Sequence, residues 1–292
     1  MTDAYDGRVS RRVGGGASRH YFRLLDSIHC HLLPRSYLEI GVFEGKSLAL
    51  ALPCTQAIGV DPEPRIRFAL DPSSMIFVET SDQFFERRAL SDLVSGPVDL
   101  TFLDGLHHFE FVLRDFINSE RNSSPDSVIL VHDAYPHNAQ VASRSVEAEH
   151  WAGDVWKLIV ALQARRPDLR VHTVDVPPTG LAIVTGLDPT STVLSAAYDE
   201  IVAELAPLTY ERLRSDPARV LNVVADRWEE IERLLPPRFQ NGDVGSLRRQ
   251  RAMRLPPAIP LLPAELERRL GQSLLGRRLR SLKARLKEFT RP

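Results

Sequence analysis

The 292-residue sequence has two cysteines, Cys30 and Cys54, at no metal-ligand spacing. That count excludes a disulfide scaffold or a structural zinc knot and leaves two buried thiols as the expectation. No apolar run approaches the roughly twenty residues that cross a bilayer. The polar segment Met1 to Arg12 lacks the apolar centre of a secretion signal, so the chain is expected in the cytoplasm. Internal repeats are absent, as is the close glycine pair of G-x-G-x-x-G, which argues against a dinucleotide turn. Net charge is also nearly absent, at −1, but it is unevenly divided: residues 236–292 carry fourteen Lys/Arg and four Asp/Glu, making this tail +10 and the rest −11. An acidic body makes a poor general phosphate-binding surface, so nucleic acid is not the expected partner.

With 43% hydrophobic residues, the chain can bury a full core and still leave a tail. The most informative stretch is Tyr37-Leu38-Glu39-Ile40-Gly41-Val42-Phe43-Glu44-Gly45-Lys46-Ser47, an apolar strand entering a turn with an acid and two glycines. Glycine permits backbone angles closed to other residues and close approach of a ligand, and a helix over Lys46–Leu52 is expected to aim free N–H groups back at the turn. The next strand, Ala57 to Val60, ends at Asp61. An acid after the second strand of an open α/β sheet is placed to accept ribose hydroxyls.

Short apolar runs bounded by Gly, Pro, Asp or Ser predict strands at Ser36–Val42, Ala57–Asp61, Met75–Glu79, Val98–Leu103, Ser127–His132, Arg170–Val176 and Gly180–Thr185. Helices are expected at Ser18–Leu32, Ser81–Leu93, Phe109–Glu120 and His150–Arg165. The alternation implies an α/β fold with a doubly wound, mainly parallel seven-stranded sheet of Rossmann-like type, its last pair forming an antiparallel edge. The chain divides into an N-terminal arm and helix (1–35), a catalytic domain (36–190), a helical extension (191–235), and a proline-bearing linker with a basic amphipathic helix from Ala264 (236–292).

Chemistry gathers after the fourth and fifth strands. Asp104-Gly105-Leu106-His107-His108 and Val131-His132-Asp133 put two carboxylates and imidazoles at neighbouring strand ends. Two such carboxylates repel unless a proton or cation lies between them, and an oxygen-rich site suits Mg²⁺ or another divalent cation. Asp104, Asp133 and His132 are the candidate metal ligands. A cation there could draw a vicinal diol into place, and His107 could remove the hydroxyl proton as base. Asp82, in the loop after the third strand, is a candidate cofactor contact, with Ser81 as the expected helix cap. Trp151 and Trp156 could form a face for a sugar ring, and residues 132–153 a flexible lid.

The turn Glu39, Gly41, Gly45 and the later Asp61 resemble motif I of class I S-adenosylmethionine (SAM)-dependent methyltransferases. The resemblance implies that Glu39, Gly41, Gly45, Ser47, Asp61, Asp82 and Asp104 border SAM. Asp-Gly-x-His at Asp104–His107, the His132-Asp133 pair and Gly153-Asp154-Val155-Trp156-Lys157 are similar to metal-dependent O-methyltransferases of sugar hydroxyls, the macrocin and mycinamicin type. That likeness covers residues 36–185 and implies Mg²⁺ on Asp104 and Asp133, with His107 as the base. A saccharide or other small-molecule acceptor and a second copy of the chain are the expected partners; the basic tail suits an acidic partner or a membrane surface. Two other readings stay open on sequence: an RNA- or protein-directed methyltransferase recruited by that tail, and a SAM-fold protein with other or no catalysis.

Overall fold

A computed structural model describes residues 20–146 and 150–254. The strands are β1 (Ser36–Ile40), β2 (Gln56–Val60), β3 (Met75–Phe77), β4 (Leu100–Leu103), β5 (Val128–His132), β6 (Arg170–Val174), β7 (Leu181–Thr185) and β8 (Val223–Val224). They form one sheet in the order β3-β2-β1-β4-β5-β7-β6-β8. β1, β4, β5 and β7 are buried along their whole length. Such strands are covered on both faces, which is why they read as continuous Val/Ile/Leu runs rather than as alternation.

One face carries α3 (Phe109–Arg121) and α4 (Trp156–Arg165), whose Phe109, Leu113, Phe116, Trp156 and Leu162 pack with Phe84 in one core layer. The other face carries α1 (Tyr21–Leu32), which buries Leu24, Leu25, Ile28 and Leu32 in a second layer. The N-terminal helix is therefore part of the body, packed on the same sheet as the expected catalytic domain.

Register positions the site. Ile40 pairs with Val60 and with Leu103, and Leu103 pairs with Val131. Gly41, Asp61, Asp104 and Asp133 consequently leave the sheet at one edge, around the switch between β1 and β4 where an open α/β sheet forms its crevice. β7 runs antiparallel to β5 with Leu181 opposite His132, which brings Thr179 and Gly180 to the same edge.

The described residues differ from expectation in several places. The sheet has eight strands, because β8 joins β6 in parallel, and the antiparallel strand β7 lies inside it, between β5 and β6. The helix expected over Lys46–Leu52 is a single 3-10 turn, Leu48–Leu50. Pro53 disfavours helical angles at Leu52, so the segment has no room to propagate. The third helix is shorter, α2 spanning Ser81–Arg87, and its cap is Thr80, which forms a reciprocal capping box with Gln83. Within the expected linker, Val244–Arg254 is helical and is tied to α1 through Arg248 and Arg251 on Asp26. The Ala264 helix and the segment before His20 lie outside the described residues.

Candidate active site

At the turn after β1, Glu39 is fully buried. Its two oxygens accept from Tyr37 (2.6 Å) and Ser47 (2.7 Å). Burial pushes its carboxyl up to about 8, against the pull of those hydrogen bonds. Asp61 accepts from the backbone N–H groups of Val42 (3.0 Å) and Phe43 (2.7 Å) on one oxygen and of Glu63 (2.7 Å) on the other. Gly41 has φ +90°, and a Cβ there would lie 2.0 Å from the carbonyl oxygen of Asp104. The need for glycine is thus met by the protein's own chain: Gly41 lets β1 turn directly against the end of β4. Gly45, at φ +80°, would meet only flexible side chains, the nearest being Ile66 at 3.2 Å. Asp82 gives both oxygens to Arg114 on α3 (2.8 and 2.7 Å), so its carboxylate joins α2 to α3.

At the ends of β4 and β5, Asp104, His107 and Asp133 each offer a ligand atom, all within 4.8 Å of one another. His107 Nδ1 lies 2.7 Å from the carbonyl oxygen of Trp151 and 3.0 Å from Asp133 Oδ2. Both neighbours are acceptors, so Nδ1 carries the hydrogen and Nε2, 3.5 Å from Asp104 Oδ1, is the nitrogen that can exchange a proton or bind a cation. His132 is outside the three-residue cluster. Its Nδ1 sits 3.0 Å from Asp104 and 3.4 Å from Asp133, while its buried Nε2 has no partner among the described residues.

Burial works against a charged His107, yet Asp133 and Asp104 outweigh it and lift the imidazole to about 9. The same two acids lift His132 to about 10 despite its burial. Burial would also raise Asp104 and Asp133, but the two histidines hold both below the usual carboxylate range. At neutral pH the pocket therefore balances two carboxylates with two imidazolium ions. The cation inferred from sequence has a proton-based counterpart in these side chains.

Three supporting groups surround these side chains; Thr179 and Tyr21 had no signal in the sequence, while Trp151 is one of the two tryptophans expected to face a sugar ring. Thr179 donates to Asp133 Oδ1, while Asp133 itself holds φ +60°, a left-handed angle that Asp tolerates better than most residues. Tyr21 lays its ring 4.0 Å from that of His132. Trp151 stacks on His107 at 5.1 Å. Trp156 is 1% exposed and belongs to the core, so it offers no sugar face. The expected lid is tied down at its described residues: within it Ala152 and Gly153 donate to the Val141 carbonyl, and Arg144 joins it to Glu110 and Asp154 outside it.

Residues 38–134 match the family model described as a methyltransferase domain. Strands β2 to β5, the last three residues of β1 and every cofactor and metal candidate fall within that match. No curated protein matches the chain at a significant level. Among solved structures the chain is similar to cofactor-bound Rv0187 from MTB, at 16% identity over 60% of this chain and 82% of that one, with a TM-score of 0.46. It is also similar to an O-methyltransferase from Bacillus cereus in complex with SAH (13% identity, 56% and 79% covered, TM-score 0.42). A third is TomG from Streptomyces achromogenes, an O-methyltransferase involved in tomaymycin synthesis, in complex with SAM (17% identity, 57% and 80% covered, TM-score 0.41).

Proposed function

We propose that the chain is a SAM-dependent O-methyltransferase acting on a hydroxyl of a sugar, a polysaccharide or a glycosylated natural product. The observation that carries this reading is the Asp104–His107–Asp133 cluster at the ends of β4 and β5, held against the Gly41 turn by the contact of Gly41 with Asp104. A methyl transfer to oxygen needs an acceptor hydroxyl relieved of its proton beside a methyl donor, and those two demands fall on the two adjoining parts of this edge. SAM supplies a methyl on a cationic sulfur that leaves without protonation.

On the cofactor side, Asp61 is the acid for the ribose, and the Gly41–Phe43 backbone that it braces forms the wall beside it. On the acceptor side, the neutral form of the ring, a minority at neutral pH because Asp133 and Asp104 lift the imidazole to about 9, takes the hydroxyl proton on His107 Nε2 while Nδ1–H stays anchored on Trp151. A proton acceptor so placed contributes a factor of roughly 10²–10⁴. One imidazole and two carboxylates fit a divalent cation; Asp104 and Asp133 would hold it, and bound there it would supply orientation and acidification of an acceptor diol. Because His107 Nε2 also lies within the ligand-atom cluster, base and ligand roles compete for one atom. Transfer of labelled methyl from SAM to a panel of saccharides, with Mg²⁺ and with chelator, tests the assignment. Labelled saccharide with wild-type protein and none with His107→Ala is the expected result; no labelled product from any saccharide in the panel contradicts it.

A further inference from the structure

The run Gly153-Asp154-Val155-Trp156-Lys157 is not used by the proposed chemistry, yet it touches His107 directly. A Cβ on Gly153 would lie 1.8 Å from the His107 carbonyl oxygen, and the Asp154 N–H donates to that oxygen at 3.2 Å. Asp154 Oδ1 accepts from the Phe109 N–H at 2.8 Å. This is the first residue of α3, and the preceding His108 gives that helix no side-chain cap. Free N–H groups and the positive end of the helix favour an anion at this position.

The carboxylate is buried, and so is the cation that balances it. Lys157 Nζ lies 3.0 Å from Asp154 Oδ2 and donates to the Ala206 carbonyl at 2.7 Å; both residues are 2% exposed. Arg144 reaches the same oxygen at 2.7 Å. The chain beside His107 is thus gripped on both sides, its carbonyl by the backbone of residues 153–154 and the helix after it by the Asp154 side chain. Its ring is held by the Trp151 carbonyl only two residues earlier.

We infer that Asp154 is a positioning residue for His107, capping α3 from a distant segment so that the imidazole Nε2 is held toward Asp104, with Lys157 as the buried counter-ion that lets this anion sit in the core. The inference rests on the proposed role of His107. Two double variants isolate the cap without leaving a buried cation. In Asp154→Asn/Lys157→Met the side-chain amide oxygen still accepts from Phe109, whereas in Asp154→Ala/Lys157→Met nothing does.

The Ala pair is expected to lower kcat about ten- to hundredfold, since small misplacements near the chemistry are worth that much. SAM affinity should stay within about twofold, and the Asn pair should keep most of kcat. The Nδ1–H proton signal of His107, shifted by its bond to Trp151, should move in the Ala pair and not in Glu120→Gln, which weakens the buried ion pair with Arg166 elsewhere. An Ala pair with the kcat of the Asn pair and an unmoved His107 signal overturns the inference. If wild-type protein transfers no methyl, the proposed function fails, and the proton signal still decides the positioning role. Should the Ala pair not fold, Arg144→Gln, at a 42% exposed side chain, is expected to move the same signal, and a static signal there overturns the inference.

Discussion

At the turn after β1, the carboxyl group of Glu39 and the carboxylate of Asp61 already have their hydrogen-bond partners, in Tyr37, Ser47 and the backbone N–H groups of Val42, Phe43 and Glu63. At the ends of β4 and β5, two carboxylates face two imidazoles, and the charges cancel only while both rings keep their protons. The first region is satisfied locally and fixes backbone shape; the second stores exchangeable charge. A site divided this way can hold a cofactor with little rearrangement while the neighbouring groups trade protons with an acceptor or a cation.

Changes at the loaded end should act on turnover. His107→Ala is expected to lower kcat by about 10³, within the span of general-base contributions, while SAM binding measured by calorimetry stays near the wild-type value. A large loss of cation affinity in the same variant would instead assign Nε2 to the ligand role. Changes at the satisfied end should act on binding. Asp61→Ala removes three charge-assisted hydrogen bonds from the turn as well as the proposed ribose acceptor, and SAM affinity is expected to fall by about ten- to hundredfold.

Titrating Mg²⁺ into metal-stripped protein sharpens the contrast through proton release. Since the acids hold His107 and His132 charged at neutral pH, a cation that enters between them should expel a proton. The heat should then vary with the ionisation enthalpy of the buffer, and Asp133→Asn should weaken the binding. Equal heats in phosphate-free buffers of different ionisation enthalpy would mean that no imidazole gives way.

The smallest effect is expected at Glu39. Burial raises its folded pKa to about 8, above the ordinary carboxyl value of 4.5, so the folded state binds the proton more tightly than the unfolded chain. The stability it contributes is fully present below about pH 4.5 and is lost as pH rises through about 8, following proton linkage. Glu39→Gln should flatten Tm against pH in that window. An unchanged slope would assign the dependence to other groups.

The parallel half of the sheet was legible because strands buried on both faces appear as bounded apolar runs, and because turns at their ends need Gly, Asp and His in recognisable order. Asp104, His107 and Asp133 are legible as neighbours for that reason, and their ligand atoms do lie within 4.8 Å of one another. The positions of β7 and β8 were not, since both depend on pairing between distant segments. Leu48-Ala49-Leu50-Ala51 reads as helical by itself, and Pro53 just after it confines the segment to a single 3-10 turn. Thr179 and Tyr21 reach the site across long sequence separations, and nothing local distinguishes them from any other polar or aromatic residue; Asp154 stands in a recognisable run, but its partner Phe109 lies 45 positions away. Gly41 was identified for its backbone freedom, while its close neighbour turned out to be Asp104 rather than open space for a ligand.

Calorimetric titration of SAM into wild-type and Asp61→Ala protein, each shown to be folded, tests the division most directly. One saturable site in the wild type, retained in chelator and weakened by about ten- to hundredfold in Asp61→Ala, is the predicted result. No binding to folded wild-type protein, or equal affinity in the variant, would contradict a cofactor seated at the β1–β2 end of the sheet.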